Sequence, residues 1–102
     1  MQTMPHIPVP AAALAECCKR RNIHRLWFFG SVLRDDFRPD SDVDILVKFD
    51  DDARLSALDF VDIQDELSAL LGRRVDLVEE DAVTNPFRRK EIFSTRQEIY
   101  AA

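Results

Sequence analysis

The segment Ser41-Asp42-Val43-Asp44-Ile45-Leu46-Val47-Lys48-Phe49 carries two patterns at once. From Val43 onward it is β-branched, apolar and aromatic, which predicts a strand over 43–49. Side chains on a strand alternate between faces, so Val43, Ile45, Val47 and Phe49 share one face suited to a core. Asp42 and Asp44 then share the opposite face at the head of the strand. Two carboxylates about 5 Å apart repel by about 3 kcal/mol at an effective dielectric of 20. A cation removes that cost, and hard divalent ions such as Mg²⁺ prefer oxygen sites of this kind. Two solvated aspartates on a turn give the same Asp-x-Asp pattern, so the rest of the chain has to discriminate.

Downstream, Leu55–Leu71 predicts a helix: Phe60, Ile63, Leu67, Leu70 and Leu71 recur at the spacing of one buried face, with Asp59, Asp62, Asp65 and Glu66 largely opposite. Gly72 stands where a helix end favours a left-handed residue. Val75-Asp76-Leu77-Val78 then reads as a short strand with a carboxylate inside it, a residue disfavoured there by propensity and by burial. If Val75 and Leu77 face the helices, Asp76 faces the side of Asp42 and Asp44. A strand, a long helix and a return bring the third strand beside the second. Three carboxylates then converge at one end of a sheet, an arrangement suited to one or two Mg²⁺ ions.

Upstream, residues 1–10 hold Pro5, Pro8 and Pro10 and are expected to be a loose segment, with 11–102 forming a single domain. Ala11–Arg21 predicts a helix ending in Lys19, Arg20 and Arg21, with Asn22 as its stop. Ile23–Phe29 predicts a strand whose Trp27, Phe28 and Phe29 belong to the core. Gly30-Ser31 ends it, and 32–36 is compatible with one helical turn. Glycine there lets the backbone turn sharply and approach a ligand, and a turn with outward N–H groups and the Ser31 hydroxyl suits phosphate. Pro39-Asp40-Ser41 is loop chemistry. Asn85-Pro86 opens a last helix running to about Arg96. Glu98–Ala101 reads either as an edge strand or as a frayed helix end. The order of elements predicts an α+β domain, a two-layer arrangement of a small mixed sheet flanked by helices.

The chain has 102 residues, with 14 Lys plus Arg against 19 Asp plus Glu and a net charge of −5. That acidity argues against a general nucleic-acid binder, which needs a basic face. No apolar run approaches the roughly 20 residues of a bilayer span, and MQTMPHIPVP lacks the pattern of a secretory signal. Cys17 and Cys18 are adjacent and make no disulfide framework. No membrane association and a cytoplasmic location are expected. His6 and His24 lack metal-ligand spacing. Asp50-Asp51-Asp52 reads as a solvated loop, the two cysteines as helix packing or surface thiols. Arg88-Arg89-Lys90 reads as a solvated helix face or a contact for an acidic partner patch.

Taken together, Gly30-Ser31, Arg34, Ser41-Asp42-Val43-Asp44-Ile45-Leu46-Val47 and Val75-Asp76-Leu77-Val78 resemble the DNA polymerase β-like nucleotidyltransferase superfamily. The length and the Gly72-Arg73-Arg74-Val75-Asp76 approach are similar to its minimal nucleotidyltransferase (MNT) domains. The resemblance spans about residues 11–100. It implies a mixed sheet flanked by helices and MgATP bound at the Gly-Ser turn. Asp42, Asp44 and Asp76 would be the catalytic and metal-binding carboxylates. Gly30, Ser31, Arg34 and Ser41 would be the nucleotide-binding set, with Ser41 more a cap of its loop than a chemical group. The chain departs from the family in having Asp35-Asp36 after Arg34, where glycine is common.

The resemblance further implies a Mg²⁺-dependent transfer of AMP from ATP to a hydroxyl, a tyrosine, of a partner protein. That partner would be a HEPN ribonuclease toxin, and this chain its antitoxin. A second hypothesis is an antitoxin that is catalytically idle and neutralises its toxin by direct binding. Modification of small-molecule antibiotics requires a further domain that 102 residues do not supply, and a polymerase requires a basic template groove.

Overall fold

The computed structural model describes residues 9–33 and 41–102, with the backbone alone at Ser31. Residues 1–8 of the expected loose segment, Arg34, Asp35-Asp36 and the later part of the turn expected over 32–36 lie outside the described residues. Four strands and three α-helices follow one another as α1 (Ala11–Arg20), β1 (Ile23–Phe29), β2 (Val43–Phe49), α2 (Ala57–Leu71), β3 (Val75–Glu79), α3 (Pro86–Thr95) and β4 (Gln97–Ala101). Short 3-10 segments occupy Gly30–Leu33 and Glu80–Ala82.

The sheet order is β3-β2-β1-β4. The β1 strand runs antiparallel to both β2 and β4, and β2 runs parallel to β3. A parallel neighbour needs a crossover, and α2 supplies it. The two central strands are covered on both faces, hence their nearly unbroken apolar runs. On one face, α1 contributes Leu14, Cys17 and Cys18 and α2 contributes Ile63 and Leu67 to a core with Leu26, Phe28, Val43, Ile45 and Val47. On the other, α3 and the segment before it place Ile92 and Val83 against Trp27, Phe29 and Leu46. Sheet plus α1 and α2 thus make two layers, and α3 covers part of the opposite face. The expected α+β class holds, as does the core role of Trp27, Phe28 and Phe29.

Local chemistry sets the boundaries. Ser56 and Asp59 form a reciprocal capping box, the Ser56 oxygen accepting from Asp59 N at 3.1 Å and Ser56 N donating to Asp59 Oδ2 at 3.0 Å. It moves the start of α2 from Leu55 to Ala57. Gly72 is left-handed (φ 66°) as expected, and Asn22 takes the same region (φ 58°) after α1. Asn85 caps α3 through bonds from Phe87 N (3.0 Å) and Arg88 N (3.1 Å). The open choice for the C-terminus resolves as a strand: Arg96 leaves the helix with extended backbone (φ −57°, ψ 147°), and β4 pairs along β1. The outer edge of β3 is closed by α2, whose Ser68 Oγ accepts from Val75 N and Gln64 Oε1 from Leu77 N, both at 3.0 Å. A closed edge does not recruit a foreign strand. Among the described residues no helix is long and apolar enough to cross a membrane.

Glu66 of α2 joins the two helices of the main core: Arg21 Nε donates to it at 3.0 Å, and both terminal nitrogens of Arg20 also reach it. These bonds, Arg20 foremost, hold its carboxyl at about 2, below the ordinary 4.5 and against the opposing effect of burial. A depressed carboxylate contributes stability above its unfolded value and loses it as pH falls through the folded one. Glu66→Gln is expected to cost about 1 kcal/mol at neutral pH. The gap from wild type should shrink between pH 4.5 and 2 in urea unfolding series. Cys17 and Cys18 are buried, which pushes their thiols up to about 11 and about 12 respectively. Iodoacetamide at pH 7 is therefore expected to label them only as the protein unfolds, as followed by mass spectrometry.

Candidate active site

The pairing registers decide where the expected carboxylates go. Asp44 of β2 lies opposite Phe29 of β1 on one side and opposite Asp76 of β3 on the other. Val43 and Ile45, like Val75 and Leu77, are buried in the α1–α2 core, so Asp44 and Asp76 share the sheet face on the α3 side. Asp44 is half-buried and Asp76 exposed. Asp42, just before the strand, is exposed and meets Arg74 Nε at 3.8 Å. The two strand starts are tied together by Val43 N donating to Arg74 O at 2.9 Å and Arg73 Nη2 donating to Ser41 O at 3.2 Å. Ser41 is thus held beside the start of β3 through its carbonyl. The three aspartates occupy one end of the sheet, yet no three His, Cys, Asp or Glu side chains among the described residues are gathered closely enough to hold a metal ion as they stand.

Gly30 meets this group from β1. Its φ is +72°, and a Cβ added there would lie 2.5 Å from Asp44 Oδ2. Both the backbone conformation and the closeness of the carboxylate require glycine. The 3-10 turn begins at Gly30 itself and includes the backbone of Ser31.

A cleft of about 490 Å³ opens over Gly30 and Asp44, with Leu33 beside them and α3 as its far wall. Arg88, Glu91 and Thr95 line that wall. Sequence reasoning did not assign them to the site, although their positions fall on one face of a helix that an Asn-Pro start announces. The run Arg88-Arg89-Lys90 divides. Arg88 and Lys90 are exposed as expected. Arg89 instead donates to the carbonyls of Val83 (3.1 Å) and Glu80 (3.3 Å) and stacks on Phe93. Its stem and guanidinium fasten α3 to the preceding segment, a role that depends on a tertiary neighbour and not on charge pattern. Arg96 does the same at the other end of the helix, packed between Trp27 and Phe93 at 4.1 and 4.0 Å and facing Glu80 at 3.6 Å.

The two glycines allow a controlled comparison. Gly72 is equally left-handed, but a Cβ there meets nothing within 4 Å. Gly72→Ala is expected to cost about 1 kcal/mol, the strain of the backbone region alone. Gly30→Ala should cost more, by about a further 1 kcal/mol, because the Asp44 carboxylate must also move. Urea denaturation of the two variants checks the order.

The whole arrangement has relatives. A family model described as nucleotidyltransferase domain matches residues 12–99. Protein adenylyltransferase MntA of Thermococcus cleftensis is 44% identical over 63 residues, 62% of this chain and 62% of that protein. The alignment therefore spans a little under two thirds of that relative's length. The solved structure of a protein classed as a minimal nucleotidyltransferase is 34% identical and superposes with a TM-score of 0.67, over 88% of this chain and 87% of that one. A complex of tri-AMPylated HEPN toxin with MNT antitoxin from Shewanella oneidensis superposes with a TM-score of 0.61 at 15% identity, over 90% of this chain and 70% of that one. At that identity the likeness is one of fold. The family match runs from α1 into β4 and takes in Gly30, Asp42, Asp44 and Asp76, so the chain belongs to the nucleotidyltransferase domain family.

Proposed function

We propose that this protein transfers AMP from ATP to a tyrosine hydroxyl of a HEPN toxin, and so acts as its antitoxin. The observation that carries the reading is the register that sets Asp44 opposite Asp76 on adjacent parallel strands, with Gly30 against the Asp44 carboxylate. The relatives support the acceptor: one carries the name of a protein adenylyltransferase, and one fold neighbour is an MNT antitoxin bound to an AMPylated HEPN toxin.

The donor set suits Mg²⁺, being carboxylate oxygens at the open end of a cleft. Asp42 and Asp44 would hold it, with Asp76 completing the set. Asp76 is exposed, so its side chain turns toward Asp44 at little rotameric cost, whereas Asp42 would exchange its Arg74 contact for the ion. Bound there, the ion supplies charge neutralisation along the triphosphate. The residues of the chain do the rest. The backbone at Gly30 and Ser31 would receive the phosphates, and Arg34, which lies outside the described residues, would supply a cation to them as the family resemblance implies. The acceptor oxygen attacks the α-phosphorus and forms the new P–O bond. The bond to the bridging oxygen breaks, and pyrophosphate leaves with its electron pair. Asp76 accepts the hydroxyl proton. Ser41, bonded through its carbonyl to Arg73, would hold Asp42 beside the start of β3.

Incubation of the purified protein with α-labelled ATP, Mg²⁺ and a HEPN toxin tests this. Wild type is expected to label the toxin, and Asp44→Ala to lower the rate at least about 100-fold while leaving the melting temperature within a few degrees. Equal labelling by the variant overturns the assignment. The idle-antitoxin reading draws on one observation: no three His, Cys, Asp or Glu side chains among the described residues are gathered closely enough to hold a metal ion as they stand. It takes over if the toxin is bound and silenced without label and the Asp42→Asn, Asp44→Asn double variant protects cells undiminished.

A further inference from the structure

A second and larger concavity, about 890 Å³, lies away from Asp42 and Asp44, where β2 and β3 end and α2 begins, its lining reaching back along β3 to Leu77. Phe49, on its floor, is five residues along β2 from Asp44, about 16 Å at the rise of a strand. Phe49 and Phe60 meet edge to face there, at 6.5 Å between ring centres. Around them the surface stays apolar. Leu55 is 37% exposed and Val61 48%, and Leu58, one helical turn from Val61, is 77% exposed. Leu55, just before α2, and Leu58 and Val61 in its first turns thus leave apolar surface that the sheet does not cover, and exposed apolar surface beside a concavity of this kind marks a binding surface.

The rim has a charge sign. Asp50, Asp51, Glu79 and Asp81 border the groove against one cation, Lys48. Asp50 faces His24 at 3.4 Å. Asp51, Glu79 and Asp81 are exposed and form no ion pair among the described residues. Covering the groove with an apolar surface would desolvate these carboxylates without compensation, so an occupant must bring cations to the rim as well as large apolar side chains to the floor. A second copy of this chain, itself at −5, would set like charges against like if the same patches met.

We infer that this groove docks a basic, amphipathic segment of a partner protein, with apolar anchors over Phe49 and Phe60 and Lys or Arg against Asp51, Glu79 and Asp81. The inference does not rest on nucleotide transfer, since the groove and the carboxylates occupy opposite ends of β2.

The probe is a synthetic amphipathic peptide with leucine on one face and lysine on the other, titrated into the full-length ¹⁵N-labelled protein. A matched peptide with glutamate in place of lysine is the control. The basic peptide is expected to move amide signals of 48–61 and 77–82 and to leave those of Gly30 and Asp44 in place, with affinity falling as salt rises. Leu55→Ser with Val61→Ser should weaken it at least about tenfold without lowering the melting temperature. Asp51→Lys with Asp81→Lys should do the same while leaving the apolar floor intact. Equal binding of the acidic peptide, shifts confined to other surfaces, or groove signals that move with protein concentration alone (a second copy as occupant) would each overturn the inference. Asp44→Ala should bind the peptide as wild type does, so failure here and failure of the catalytic reading remain distinguishable.

Discussion

The parallel pairing of β2 with β3 is the constraint on which the rest depends. Parallel neighbours cannot be joined by a tight turn, so a full helix must cross over, and α2 is that helix. The same pairing fixes the register Asp44↔Asp76. A slip of one residue would turn Val75 and Leu77 out of the core and Asp76 into it. Burial of two apolar side chains therefore enforces the position of the one polar group between them. The carboxylates gain their common face from the hydrophobic effect acting on their neighbours.

The helices are attached by different means on the two faces of the sheet. On one, α1 and α2 bury aliphatic and thiol groups and share Glu66 through Arg20 and Arg21. On the other, α3 buries little beyond Ile92 and Phe93 and relies on Arg89 and Arg96, which combine aromatic stacking with Glu80 and backbone carbonyls. Guanidinium groups suit this because their flat faces stack while their edges donate. The helix so held is the one that walls the cleft over Asp44. Attachment through polar and stacking contacts leaves the cleft side of α3 to Arg88, Glu91 and Thr95, where a more apolar helix would have closed the space.

Much of this was legible in the chain. Period two marked β2, and a 3-4 spacing marked α2. Gly72 and Asn85-Pro86 marked the ends of helices, and the position of Asp76 inside an apolar strand pointed to the site. These signals are local, because each depends on dihedral preferences or alternation within a few residues. The end of the chain was ambiguous since Glu98–Ala101 has no strong local preference; the exposed backbone of β1 beside it made it a strand. The start of α2 lies two residues beyond the expected Leu55, although the Ser56-x-x-Asp59 pattern of the capping box that sets it stands in the sequence.

The sequence by itself determined most of the elements and their faces, among them the shared face of Asp44 and Asp76, because alternation and helix periodicity follow from backbone geometry alone. Only the tertiary structure decided which side chains stand across from them. The contact of Gly30 with Asp44, the cleft wall of Arg88, Glu91 and Thr95, the fastening role of Arg89, and the groove between the ends of β2 and β3 and the start of α2 all join residues far apart in the chain. Their proximity is set by strand register and helix packing, which no local preference encodes.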